Sequence, residues 1–253
     1  MLALEFPPIN ELVRWRDVWS PAGLNKVGII CVLAALISIG IFLIAARADG
    51  LKAPRGIRNL AEIIVEFVEN QIIMPTMGKA GLGWTPFMLS LFVFIYLCNL
   101  PGIIPVVFYM PATARLAIPL FLAVVVWLVF VAVGIKHQGI GYFTHLLWPP
   151  GVPVALKPLV GLIEFVSTIL VRPFSLTIRL FANLFAGHIL LVTFSLLTEE
   201  LVEGDWALKW MAILPFFMLM FITAFEVLVG FLQAYIFAML AGVYIGTSMH
   251  SEH

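Results

Sequence analysis

Residues 158–197 read PLVGLIEFVSTILVRPFSLTIRLFANLFAGHILLVTFSLL, and a second stretch of similar length and character covers 207–248. Between them lies a segment, Thr198 to Trp206, with four acids: Glu199, Glu200, Glu203 and Asp205. A hydrocarbon core is ~30 Å thick and takes about 20 helical residues to cross. At ~1.5 Å per residue, a helix of about 40 residues is roughly 60 Å long. Two such helices, joined by an acidic turn, cannot stand upright in a bilayer. They must tilt steeply or break, and a tilted hairpin presents a long flank to whatever lies beside it.

The whole chain supports a membrane reading. Of 253 residues, 62% are apolar and only 11% charged, with 14 basic and 14 acidic side chains giving a net charge of zero. Soluble domains carry about 25% charge, and the mean hydropathy of +1.10 leaves too little polar surface to face water. Zero net charge and the absence of a basic run argue against a nucleic-acid binder. Cys31 and Cys98, the only cysteines, each sit in an apolar run and read as small membrane-core side chains. His137 and His145 fall in a loop rich in Gly, Pro and aromatics without nearby carboxylate or thiol, so neither a metal site nor a cofactor is expected.

Working outward from the hairpin, uncharged windows predict a first span over 27–46 and a membrane hairpin over 86–135, its turn holding Pro111. The segment 1–26, with Trp15 and Trp19 as interfacial anchors, lacks the basic start of a cleavable leader and is expected to be retained outside. Over 54–75, Arg58, Glu62, Glu66 and Glu69 recur at helical spacing among Ile57, Leu60, Ile63, Ile64, Phe67 and Val68. That is an amphipathic helix lying on the membrane, stopped near Pro75. The prediction is an all-α polytopic protein, one membrane domain over 1–253. It has about five membrane helices and one surface helix, with the long tilted hairpin over 158–248. Arg47, Lys52, Arg55, Arg58, Lys79, Lys136 and Lys157 belong to the loops after spans one and three, which the positive-inside bias places in the cytoplasm. The N-terminus is then outside and the C-terminus cytoplasmic.

Only Glu164, Arg172, Arg179 and Glu226 put charge inside membrane segments, all in the final hairpin. Each costs roughly 2.5–3.5 kcal/mol at a helix centre unless it pairs or snorkels, which makes such residues functional candidates. Arg172, Ser175, Arg179 and Asn183 share a helical stripe. Arg172, near the end of the span, suits an interfacial anchor, whereas Arg179 lies two turns deeper. Arg179 and Gln233 stand equally far on either side of Trp206, and His188 and Glu226 nearly so, which puts each pair level in a hairpin folded there. His188 with Glu226 is either a structural ion pair or a proton relay. A guanidinium is not deprotonated in a protein. Arg179 is therefore a fixed charge that attracts a passing carboxylate, repels a proton and divides the membrane into two half-paths.

The run RPFSLTIRLFANLFAGH at 172–188 closely resembles the a-subunit family of rotary ATP synthases, whose essential arginine falls on Arg179 and polar partner on Asn183. FLQAYIF at 231–237 carries the family's glutamine onto Gln233, and YLCNLPGIIP at 96–105 its asparagine onto Asn99. Some members exchange the acid and histidine at the positions of His188 and Glu226, some have aspartate at Gly102, and Glu164 falls about one residue from the family's usual acid. The resemblance implies a non-catalytic stator subunit of the bacterial inner membrane. Its partners would be a ring of c subunits, a b-type peripheral-stalk subunit, the rest of the ATP synthase complex and lipid. It also implies a proton path through Ser175, Asn183, His188, Glu226 and Gln233, with Glu164 and Asn99 as further candidates. A secondary transporter holding an anion at Arg179 is the competing reading; such folds commonly show two related halves, and no internal repeat is present.

Overall fold

The computed structural model describes residues 17–19, 24–46, 56–102, 111–139, 141–142, 147–148, 153, 156–204 and 206–249. The basic residues Arg47, Lys52 and Arg55, His145, and the C-terminal tail from His250 lie outside these residues, as do 103–110 of the first membrane hairpin.

Apart from a short antiparallel pairing of β1 (Asp17–Trp19) with β2 (Leu24–Asn25), the described chain is helical. Helix α1 is Lys26–Ala46. Helix α2 covers 57–77, in three parts: Ile57–Val68, a π turn at Glu69–Ile73, and Met74–Met77. A 3₁₀ segment, Lys79–Trp84, leads into α3, Thr85–Asn99. Helix α4 is Ala117–Gln138. The final hairpin consists of α5, Lys157–Glu203, with a π turn at Ser167–Val171, a short α6, Trp206–Met211, and α7, Ile213–Met249. Among the described residues, five segments are long and apolar enough to cross a membrane.

Helix α5 is continuous, whereas the other arm is interrupted at Ala212, between α6 and α7. Helix α5 runs 47 residues and α7 37, ~70 and ~56 Å at 1.5 Å per residue. Both exceed the ~30 Å of a hydrocarbon core, so neither fits within it upright. Only 22% of the residues in each segment's most apolar window are buried, against 44% in the segment containing α3. Most of the hairpin's apolar surface thus faces outward, to lipid or to a partner.

Helix α7 is the central element, packing against α2, α3, α4 and α5, while α1 rests chiefly on α3 and α2. An aromatic cluster ties three helices together: Phe67 of α2 lies 5.5 Å from Phe92 of α3, and Phe231 of α7 lies 5.6 Å from Phe92 and 5.9 Å from Tyr96. The helix predicted to stop near Pro75 continues two residues further, to Met77. Its amphipathic first part leaves Ile57, Leu60 and Ile63 exposed. Its last part buries Ile72, Ile73 and Met77 against the core.

Proline explains both π turns. In each, the residue before proline bonds one position too far back: Met74 N–H reaches the Glu69 carbonyl, and Arg172 N–H reaches that of Ser167. Pro75 and Pro173 then have no N–H to give. The Gln71 carbonyl, which residue 75 would have satisfied in an α-helix, accepts instead from the Tyr235 hydroxyl of α7 at 3.3 Å. The Thr168 carbonyl, which Arg172 N–H has abandoned, accepts from Trp127 Nε1 of α4 at 3.2 Å. In hydrocarbon no water could take over either duty.

Two glycines allow the end of α2 to lie directly on α7. A Cβ at Gly242 would stand 2.6 Å from the Thr76 hydroxyl oxygen, and one at Gly246 would stand 2.6 Å from the Thr76 carbonyl oxygen. Such small-residue notches let helix backbones approach closely in membranes. Gly246→Val is expected to overpack this contact, at about 1–3 kcal/mol, and to lower the amount of chain retained in membranes on quantitative immunoblots. Gly40→Val, whose Cβ meets nothing within 4 Å, should leave it unchanged.

Candidate functional site

The polar residues singled out in the sequence converge on the final hairpin but occupy three different settings. The first is an open groove of about 600 Å³ between α5 and α7, lined on one wall by Asn183 and Gly187 and on the other by Glu226 and Gln233, with Ile222 and Phe225 beside them. Glu226 is only 3% exposed and Gln233 6%. Neither carboxylate oxygen of Glu226 has a hydrogen-bond partner among the described residues. Glu226 reaches this position because residue 187 is glycine: a Cβ there would lie 2.6 Å from Glu226 Oε1.

His188 is one residue further along α5 and takes a different direction. Its imidazole reaches the backbone of Gly102, just past the end of α3, and its Nδ1 is buried without a hydrogen-bond partner among the described residues. Glu226 therefore faces Gly187, and no hydrogen bond joins His188 to Glu226. The two groups flank the same crossing with unfilled hydrogen-bonding capacity on each.

The second setting is the exposed flank of α5. Arg179 is exposed there, and its Nη2 donates to Ser175 Oγ at 3.4 Å, one turn back. No carboxylate among the described residues pairs with it. Asn183, one turn onward, is also exposed, so Ser175, Arg179 and Asn183 form a short polar stripe on an apolar surface.

The third setting lies near Arg172. This side chain turns inward, its Cζ 5.1 Å from the Tyr244 ring centroid of α7 and 5.9 Å from that of Phe130 of α4. That is cation–π distance. Tyr142 is buried beside this cluster: its hydroxyl reaches Ser248, and it lies close enough to Arg172 and Glu164 to feel both charges. Burial pushes the Tyr142 phenol up, which keeps it a neutral donor at physiological pH. Glu164 thus belongs with Arg172 and Tyr142, at the opposite end of the hairpin from the acidic turn, and not with the groove.

Asn99 has no exposed surface and makes two bonds. Its Nδ2 donates to the Gly230 carbonyl of α7 at 3.2 Å, and its Oδ1 accepts from the Thr113 hydroxyl at 2.5 Å. Gly230 lies between Glu226 and Gln233 on one stripe of α7, so Asn99 and Thr113 fix the rotation that turns both side chains to the groove. Thr113, Gly187, Tyr142 and Ser248 escaped sequence reasoning. Gly187 had a usable signal, a small residue level with Glu226 in the hairpin; the others had none, since their partners are remote in sequence. Among the described residues no cluster of His, Cys, Asp and Glu could hold a metal ion.

Residues 28–246 match the family model described as ATP synthase A chain. The chain is 43% identical over 233 residues to ATP synthase subunit a of Frankia alni (strain DSM 45986 / CECT 9034 / ACN14a), covering 91% of this chain and 79% of that protein. It is 38% identical over 231 residues to the subunit a of Maricaulis maris (strain MCS10), covering 88% and 87%. Against that of Azorhizobium caulinodans it is 37% identical over 249 residues, covering 96% of each.

Thr113→Val is expected to leave the Asn99 carbonyl oxygen buried without its donor, at a cost of about 1–3 kcal/mol. The measurement is the thermal denaturation midpoint of the detergent-solubilised protein, which should fall for Thr113→Val and recover with Thr113→Ser.

Proposed function

The chain belongs to the ATP synthase A chain family, and from that premise we propose that it passes protons to and from a ring of c subunits through two half-paths divided by Arg179. It is a multi-pass membrane subunit of the proton-translocating ATP synthase, non-catalytic in itself, and the rest of that complex is its partner.

The observation that carries the reading is the state of Arg179. It is a permanent cation on the open flank of a tilted hairpin, engaged among the described residues by Ser175 alone. Such a charge is free to meet a carboxylate on a neighbouring surface, and it cannot itself pass a proton on. A ring carboxylate sliding along the flank would stay ionised opposite Arg179 and take up or lose its proton on either side. In low dielectric the same fixed charge opposes a proton crossing directly.

One half-path runs through the groove, where Asn183, Glu226 and Gln233 supply polar walls and His188 stands at its edge near Gly102. The unpartnered oxygens of Glu226 and Nδ1 of His188 suit transfer through intervening water better than a closed ion pair, which would already have consumed that capacity. The other begins at Ser175 and leads toward Arg172, Tyr142 and Glu164. Asn99 takes the role of a positioning residue. With the N-terminus outside and the C-terminus cytoplasmic, the groove opens toward the outside of a bacterial inner membrane and Glu164 toward the cytoplasm. A b-type peripheral-stalk subunit would hold the chain still against the ring. The segments 1–26, 27–46, 54–75, 86–135 and 158–248 act as one membrane domain.

Arg179→Ala is expected to reduce ATP-driven proton pumping and ATP synthesis to background in membrane vesicles while the complex still assembles; near-wild-type coupled turnover would sink the proposal. Glu226→Gln and His188→Ala should each slow proton flux about a hundredfold, at the lower side of what a positioned proton carrier contributes. Unaltered flux in both would assign the two residues a purely structural role.

A further inference from the structure

The two cysteines, 67 positions apart in sequence, meet in the folded chain. Val27, Cys31 and Ala34 form one stripe of α1 at helical spacing, and this stripe packs against Cys98 of α3 and Ala112. The Cys31 and Cys98 thiols are in hydrogen-bond contact, and both are free. Around this stripe α1 is bare: Val32, Leu33 and Leu36 are 51%, 53% and 59% exposed, and only 17% of the span is buried. Cys31 lies five residues from the Lys26 end of α1, ~7.5 Å along the axis, and is half-buried. Cys98 has no exposed surface.

We propose that Cys31 and Cys98 form a reversible disulfide that fastens α1, the least buried span, to the core. The oxidant is of the disulfide class, acting at the membrane surface nearest Lys26. The difference in exposure sets the order of events. The Cys31 thiol loses its proton, attacks one sulfur of the oxidant and releases the other half as a thiol. The Cys98 thiolate then attacks Cys31 Sγ in the mixed disulfide, forming the Cys31–Cys98 bond and releasing the second thiol. Two cysteine thiols are oxidised by two electrons, one external disulfide is reduced to two thiols, and the protons pass to the departing thiolates. The resulting ring encloses α2 and α3 and holds α1 where packing alone supplies one narrow stripe.

The test uses the assembled complex in native membranes. It is treated with glutathione disulfide, blocked with N-ethylmaleimide, digested without reductant and read by mass spectrometry. The expected result is a linked peptide pair carrying residues 31 and 98 within one chain, absent after dithiothreitol. In Cys98→Ser, whose side chain is close to isosteric, Cys31 should instead retain glutathione as a stable mixed disulfide. Recovery of both cysteines carrying maleimide, or of links only between separate chains, would overturn the proposal. So would glutathione on Cys98 but never on Cys31, because it would reverse the order of attack.

Discussion

A backbone carbonyl in hydrocarbon has no water to fall back on, and an unsatisfied one costs several kcal/mol. Two prolines create this debt. Pro75 removes the donor for Gln71, and the π turn before Pro173 draws the Arg172 N–H away from Thr168; each carbonyl is served from another helix, Gln71 by the Tyr235 hydroxyl and Thr168 by the Trp127 indole. These contacts bind α2 to α7 and α4 to α5, so the satisfaction of the backbone and the assembly of the bundle are one event. The groove between α5 and α7 is held from both sides by helices recruited in this way.

Within that frame the four membrane charges are treated differently, and the differences follow from their neighbours. Arg172 is clamped by aromatic faces from α4 and α7, which stabilises a cation without neutralising it. Glu164 shares its surroundings with Arg172 and Tyr142. Glu226 is buried with both oxygens unpartnered among the described residues, in a position made available by the missing side chain at Gly187. Arg179 alone is presented outward with no opposing charge among the described residues. The separation of these charges is what the proposed proton path past Arg179 draws on.

Amphipathic periodicity marked the helix described from Ile57 to Met77 but not the burial of its final two turns, where Ile72, Ile73 and Met77 leave the surface and join the core. The period of 3.6 is the same for a helix on lipid and for one on protein, so the pattern identifies an apolar face without saying what covers it. The cysteines show the same restriction. Each reads as a small apolar side chain in its own span, and only the packing of α1 on α3 makes a pair of them.

What the sequence by itself determined was the membrane class, the spans, the excessive length of the last two helices and the identity of the charges within them. Composition and helical spacing are local quantities, and a charge in a run of apolar residues is costly wherever the run ends up. The stripe of Ser175, Arg179 and Asn183 was legible for the same reason. Only the tertiary structure decided which way each polar group faces. It turned His188 to Gly102 and Glu226 to Gly187, and it made Asn99 a link between Thr113 and Gly230. These are contacts between residues far apart in the chain, and they depend on the rotation of α7 about its own axis. That rotation is set by close approach at Gly242 and Gly246 and by the hydrogen bonds of Asn99 and Tyr235. The two glycines, four apart, are a small-residue spacing legible in the sequence, but which helix packs on them, and the partners of Asn99 and Tyr235, leave no periodic trace.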